Sequence, residues 1–129
     1  MEKVKIQFQQ YKKALQKFRS AFSLGDDEIV RDGTIQRFEF TFELSWKIMK
    51  EINKIHGMET NSPRDSIKQA YQLKFIDNDL SWLKSLEYRN IISHTYSEEA
   101  ANDIYNHCKE FLPLFERLEK SIEKFLTEK

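Results

Sequence analysis

The chain has 129 residues, 33% of them charged and 40% hydrophobic, with only three glycines and two prolines; that suits a single soluble helical domain, 1–129, and excludes a multidomain enzyme. Twenty-one basic residues balance twenty-one acidic ones, so no global field gathers nucleic acid or an anionic membrane, and any such contact is local. One cysteine, Cys108, excludes an intramolecular disulfide and a cysteine-rich metal site; with no apolar leader and no run of eighteen apolar residues, the expected location is the cytoplasm, away from membranes.

From Val4 to Phe22 the residues Phe8, Tyr11, Leu15, Phe18 and Phe22 recur every three or four positions, which is one stripe on a helix ended by Gly25. Residues 1–20 carry six lysines and arginines against one glutamate. A solvated helix face accounts for that excess, and a hold on RNA or an acidic partner is the alternative. Asp26 and Asp27 offer an N-cap to a second helix reaching about His56, with apolar positions Ile29, Ile35, Phe38, Phe42, Trp46, Met49, Ile52 and Ile55. Gly57 is its C-cap and Gly33 a place where it bends or breaks. Ser62, Pro63 and Asp65 form a start signal for a short helix to about Lys74. Asp77, Asn78 and Asp79 open a fourth, stepping through Leu80, Leu83, Leu86 or Glu87, and Asn90 or Ile91 to about His94. Thr95 and Ser97 cap a last helix with the stripe Ile104, Cys108, Phe111, Phe115, Leu118, Ile122 and Phe125, kinked or broken at Pro113. No period-2 stretch is long enough for a strand. The expected fold is an all-α antiparallel four-helix bundle with a shorter additional helix.

Two segments carry the chemistry. In the first, residues 37–47, Phe38, Phe42 and Trp46 make a core stripe, whereas Phe40 points roughly 200° away and is wet in a monomer. Phe40 therefore marks a dimer or partner face, unless the long central helix is buried on most sides. Glu39, Glu43 and Lys47 repeat at i, i+4, which reads first as an exposed ion-pair ladder and only second as catalytic carboxylates. The second segment is Arg89-Asn90-Ile91-Ile92-Ser93-His94-Thr95-Tyr96, at a helix end where polar side chains converge in the open. An arginine offers a planar fork to a phosphate, and a histidine near neutral pKa takes a proton from a ribose 2′-hydroxyl or delivers one to a leaving 5′-oxygen. Arg89 and His94 diverge by about 140° around a helix, so they depend on arginine's reach or on a second copy of the chain. The same residues also suit a plain helix C-terminus decorated by a cation and a packed tyrosine.

Together the stretch GTIQRFEFTFELSWKIMK, residues 33–50, and the run RNIISHTY, residues 89–96, resemble the HEPN-fold proteins of the HepT type, also called nucleotidyltransferase substrate-binding proteins. The resemblance spans most of the chain, including helix order and length. It implies a homodimer in which two copies of the motif face each other across a two-fold axis and form one cleft, which removes the divergence of Arg89 and His94. It also implies a cognate minimal nucleotidyltransferase as partner, in a toxin–antitoxin pair. The helical member is then a metal-independent RNase, silenced by nucleotidylation, in the form of AMP addition, of a motif tyrosine. Carried onto this chain, Arg89 and His94 are the catalytic pair, with Asn90 as a secondary polar residue and Tyr96 as the AMP acceptor. The older family name implies a non-catalytic subunit that presents substrate to the nucleotidyltransferase. No cofactor or metal is expected, since His56 and His107 lack a ligand pattern; Cys108 falls on the apolar stripe as a small buried hydrophobe.

Overall fold

In this computed structural model, residues 1–94 and 97–128 are described, except for the side chains of Ser93 and His94. The regular structure among the described residues is all helical: α1 (Glu2–Ala21), α2 (Glu28–Ile55), α3 (Pro63–Gln72), α4 (Asp79–His94) and α5 (Glu98–Thr127). Each start after α1 has a side chain that takes up an orphan N–H. Asp27 accepts from Val30 N at 2.9 Å, Ser62 from Asp65 N at 3.1 Å, Asn78 from Ser81 N at 3.1 Å, and Ser97 from Ala100 N at 3.1 Å.

The ends are equally specific. At Gly57, with φ of +83°, the Gly57 N–H donates to Lys54 O and the Met58 N–H to Asn53 O, both at 2.9 Å. That pair closes α2 as a Schellman turn, which requires the left-handed conformation glycine adopts freely. The α3 terminus repeats the turn with Lys74 at φ +62°: Lys74 N–H donates to Tyr71 O at 3.0 Å and Phe75 N–H to Ala70 O at 2.9 Å. The helix therefore stops at Gln72, two residues before the expected limit, and α1 stops at Ala21, well short of Gly25. Gly33 and Pro113 break nothing, since α2 and α5 run through them. Pro113 and Lys109 are both exposed, so the carbonyl that loses its partner to proline lies on the wet side of α5.

Cross-helix contacts give the directions. Lys3 pairs with Glu51 at 3.4 Å and Arg37 donates to Lys17 O at 2.8 Å, so α1 and α2 are antiparallel. Lys84 meets Glu110 at 3.2 Å and the Tyr88 ring stacks on His107 at 4.8 Å, so α4 and α5 are antiparallel too. Arg31 donates to Asn102 at 2.8 Å near one end and the His56 ring lies 6.1 Å from Phe125 near the other, which makes α2 and α5 parallel. The result is an up-and-down four-helix bundle, with the shorter α3 packed between α2 and α4.

The core is aromatic. The Phe38 ring lies 6.3 Å from Phe18, 5.5 Å from Phe111 and 6.0 Å from Phe115, and Phe115 lies 5.5 Å from Trp82. Such pairs add about 0.5–1.5 kcal/mol each beyond burial. Of the predicted stripes, Ile29 (83% exposed), Leu80 (74%) and Ile55 (38%) lie outside the core. Each is in a terminal turn, where periodicity continues but cover from neighbouring helices does not.

Candidate functional site

α2 and α4 meet at Phe42, whose ring lies 6.4 Å from Trp82 and carries the Arg89 guanidinium carbon 6.0 Å above its centroid. Arg89 sits in the second-last turn of α4 and reaches across to α2. Its Nε and Nη2 donate to the same oxygen, Glu43 Oε1, at 2.6 and 2.5 Å. The other Glu43 oxygen accepts from the Trp46 indole N–H at 3.0 Å. Arg89 Nη1 donates to Asn90 Oδ1 at 3.0 Å. The ladder expected of Glu43 with Lys47 thus gives way to a clasp between helices, because Arg89 brings a rigid fork of donors to a partly covered spot, and lysine would bring a mobile point charge to an exposed one.

Glu39 lies one turn earlier on α2, half-buried. Burial away from water raises its carboxyl above the usual carboxylate range, Arg89 pulls it back, and Glu43 pushes it further up. Glu39 also lines a groove of about 440 Å³ between α2, the end of α4 and the start of α5. Arg31 spans this groove, bound to Asp32 at 3.3 Å, Asn102 at 2.8 Å and, more loosely, Glu98 at 3.9 Å. Ile92 and Ser97 both line it, so the groove lies alongside the stretch 93–96.

Arg89 and Asn90 are thereby brought together at an open helix end. His94 is the last residue of α4, and its side chain lies outside the described residues, as do Thr95 and Tyr96. Phe40 is 58% exposed, which favours a partner face over burial on most sides of α2. Cys108 is buried without a disulfide, and burial pushes its thiol up to about 12. His107 stacks on Tyr88 with its ring nitrogens near Asp103 and Glu110, at 3.4 and 3.6 Å. Among the described residues no three His, Cys, Asp or Glu side chains converge as a metal-binding group, and no helix is long and apolar enough to cross a membrane. The sequence reading missed the part Glu43 plays beside Arg89. The two are 46 positions apart, and the only local signal was a carboxylate within the aromatic segment.

Residues 6–124 match the family described as nucleotidyltransferase substrate binding protein like. The chain is 34% identical over 85 residues to the Haemophilus influenzae protein called "Probable ribonuclease HepT", a match that covers 62% of this chain and 58% of that protein's length. Among solved structures, one from Thermus thermophilus superposes with a TM-score of 0.79 at 28% identity, covering 87% of this chain and 98% of the other. A tri-AMPylated HEPN toxin of Shewanella oneidensis, solved in complex with an MNT antitoxin, has a TM-score of 0.79 at 20% identity over 94% of this chain and 96% of its own, a likeness of fold. A Haemophilus influenzae protein, described as revealing the fold of a substrate binding domain of a nucleotidyltransferase, has a TM-score of 0.67 at 25% identity over 95% and 98% of the two chains.

Proposed function

The chain belongs to the nucleotidyltransferase substrate binding protein-like family, of HEPN fold and HepT type, and from that premise we propose that it is the RNase toxin of a HEPN and minimal-nucleotidyltransferase pair. Arg89 binds the scissile phosphate. His94 moves the proton: as base it takes the 2′-hydroxyl proton while that oxygen attacks phosphorus, and as acid it supplies one to the departing 5′-oxygen. The products are a 2′,3′-cyclic phosphate and a 5′-hydroxyl, with no metal in the balance. Asn90 steadies the Arg89 fork.

The protein acts as a homodimer through the face marked by Phe40, so that two copies of Arg89 and His94 share one cleft. The cognate nucleotidyltransferase silences it by adding AMP to Tyr96, which places a charged phosphate and a bulky base beside a cleft meant for RNA phosphates. The observation that carries this reading is the placement of Arg89, held by Glu43 at an open helix end within the RNIISHTY run. The reading is also supported by the names of the Haemophilus relative and of the Shewanella toxin complex.

A second reading, a non-catalytic subunit that presents substrate to the nucleotidyltransferase, is favoured by the same ion pair. Glu43 neutralises much of the charge that Arg89 would bring to a phosphodiester. The test is a denaturing gel of RNA incubated in EDTA with partner-free protein, parent beside His94→Ala. Cutting by the parent alone is expected; cutting by neither, with Tyr96 unmodified, transfers the assignment to the presenting subunit.

A further inference from the structure

An arginine at the end of a helix has a long, mobile side chain, and an unrestrained guanidinium samples many orientations. A phosphate in an in-line displacement needs one of them. In this fold the choice is restricted from α2. Both donors on the inner edge of the Arg89 guanidinium, Nε and Nη2, converge on Glu43 Oε1 at 2.6 and 2.5 Å. Glu43 is itself fixed, because its second oxygen accepts from the Trp46 indole at 3.0 Å. The Phe42 ring lies beneath the guanidinium and sets its height, while Asn90 Oδ1 meets Nη1 at 3.0 Å.

The inner edge is therefore occupied by carboxylate, and the outer edge, formed by the remaining hydrogens of Nη1 and Nη2, is the one directed to an incoming anion. Planar guanidinium makes this an orientation of the whole group, since one clasped edge fixes the direction of the other. Trp46, half-buried three residues beyond Glu43, gives the unusually aromatic helix segment a purpose besides core filling.

We infer that Glu43, braced by Trp46, is a positioning residue that aims the outer edge of the Arg89 guanidinium at the substrate phosphate. This rests on the reading of Arg89 as the phosphate-binding group. Glu43 does not touch the reacting atoms, and its effect passes through Arg89. Two consequences separate orientation from charge. Glu43→Ala frees the fork, so the arginine still attracts RNA but holds the phosphate in many geometries. Glu43→Gln keeps an oxygen acceptor where Oε1 stands and loses only the charge.

The experiment uses the full-length protein and a short single-stranded RNA that the parent cuts, with kcat and KM measured for the parent, Glu43→Ala and Glu43→Gln, and thermal melts to confirm each variant folded. The expected result for Glu43→Ala is a fall in kcat of about 10- to 100-fold with KM moved less than about threefold, as misplacement of an orienting group produces. Glu43→Gln is expected to recover most of the lost rate. A kcat for Glu43→Ala within twofold of the parent overturns the inference. So does a Glu43→Gln variant as slow as Glu43→Ala, because charge and not aim would then matter.

A second measurement keeps this result apart from the RNase reading itself. Nitrogen-15 NMR of the Arg89 guanidinium, assigned by its loss in Arg89→Lys, is expected to show slow side-chain rotation in the parent and fast rotation in Glu43→Ala. If the parent cuts no RNA but the slow signal is present, the RNase reading falls and the positioning of Arg89 for another anion stands. A fast-rotating Arg89 in the parent overturns the positioning whatever the activity.

Discussion

The centre of the bundle and its α2–α4 edge use the same kinds of residue for different ends. At the centre, Phe18, Phe38, Phe111 and Phe115 face one another from three helices with nothing polar among the rings, and the few polar groups there are matched locally: Thr41 Oγ donates to Arg37 O at 2.7 Å and Ser45 Oγ to Thr41 O at 2.8 Å. At the edge, Phe42 and Trp46 sit under and beside a guanidinium and a carboxylate, each roughly a quarter to a third exposed. Aromatic residues at the centre exclude water; at the edge they hold charged groups in place while leaving them reachable. The difference is one of helix face, since Phe38 and Phe42 look inward and Glu43 and Trp46 are turned off the core stripe on the same α2. Stability and function are thus expected to separate by face along one helix.

Replacing Phe38 is the largest test. Its ring touches residues on α1, α2 and α5, and the residue is fully buried. Phe38→Ala is expected to lower unfolding free energy by about 3–5 kcal/mol, the usual cost of a cavity left by a core phenylalanine. Urea unfolding measures this, and the fraction that remains folded should keep its rate on RNA. A drop below about 1 kcal/mol, or a loss of rate per folded molecule, would show that the centre and the edge are one unit.

Tyr11 is the intermediate case. It is fully buried, and its hydroxyl donates to Phe115 O at 2.8 Å, linking α1 to the middle of α5. Burial drives its phenol well above the ordinary tyrosine range, so the group stays neutral at every working pH. Tyr11→Phe removes one hydrogen bond and leaves the ring, for an expected loss of about 1 kcal/mol by the same urea measurement. A loss near that of Phe38→Ala would mean that the central polar links, and not ring packing, hold the helices in register.

Much of this arrangement was legible from residue spacing. The stripes Phe8, Tyr11, Leu15, Phe18 and Ile104, Cys108, Phe111, Phe115 placed two helices, and Asp27, Ser62 and Ser97 marked three starts, because periodicity and capping are local properties. Where local rules compete with packing, they misled. Pro113 left α5 unbroken because its freed carbonyl lies on the wet side, and Ile29 and Leu80 continue a stripe past the point where another helix covers it. The site was legible only as a cluster of types. Arg89 and Asn90 were visible within the RNIISHTY run, but nothing in the order of residues says that Glu43 turns from Lys47, four positions away, to Arg89, 46 positions away. Interhelix pairing of charges is decided by which faces the core stripes leave over, and it emerges only once the helices are packed.

The smallest expected effect is the most diagnostic of the edge. Loss of water around Glu39 raises its carboxyl, with Arg89 lowering it and Glu43 raising it in turn. In the unfolded chain the same group is an ordinary glutamate near pH 4.3. As pH climbs, the unfolded chain gives up this proton first, so the folded state loses stability between the ordinary glutamate range and the raised one, and the loss stays constant above it. Glu39→Gln removes that loss. Because the group is half-exposed and water screens it, the gain is expected to be only a few tenths of a kcal/mol at pH 7, and to vanish in melts below about pH 4. If the parent is instead more stable than Glu39→Gln at pH 7, Glu39 is a net partner of Arg89, and the edge is a two-carboxylate clamp in place of one clasp with a strained neighbour.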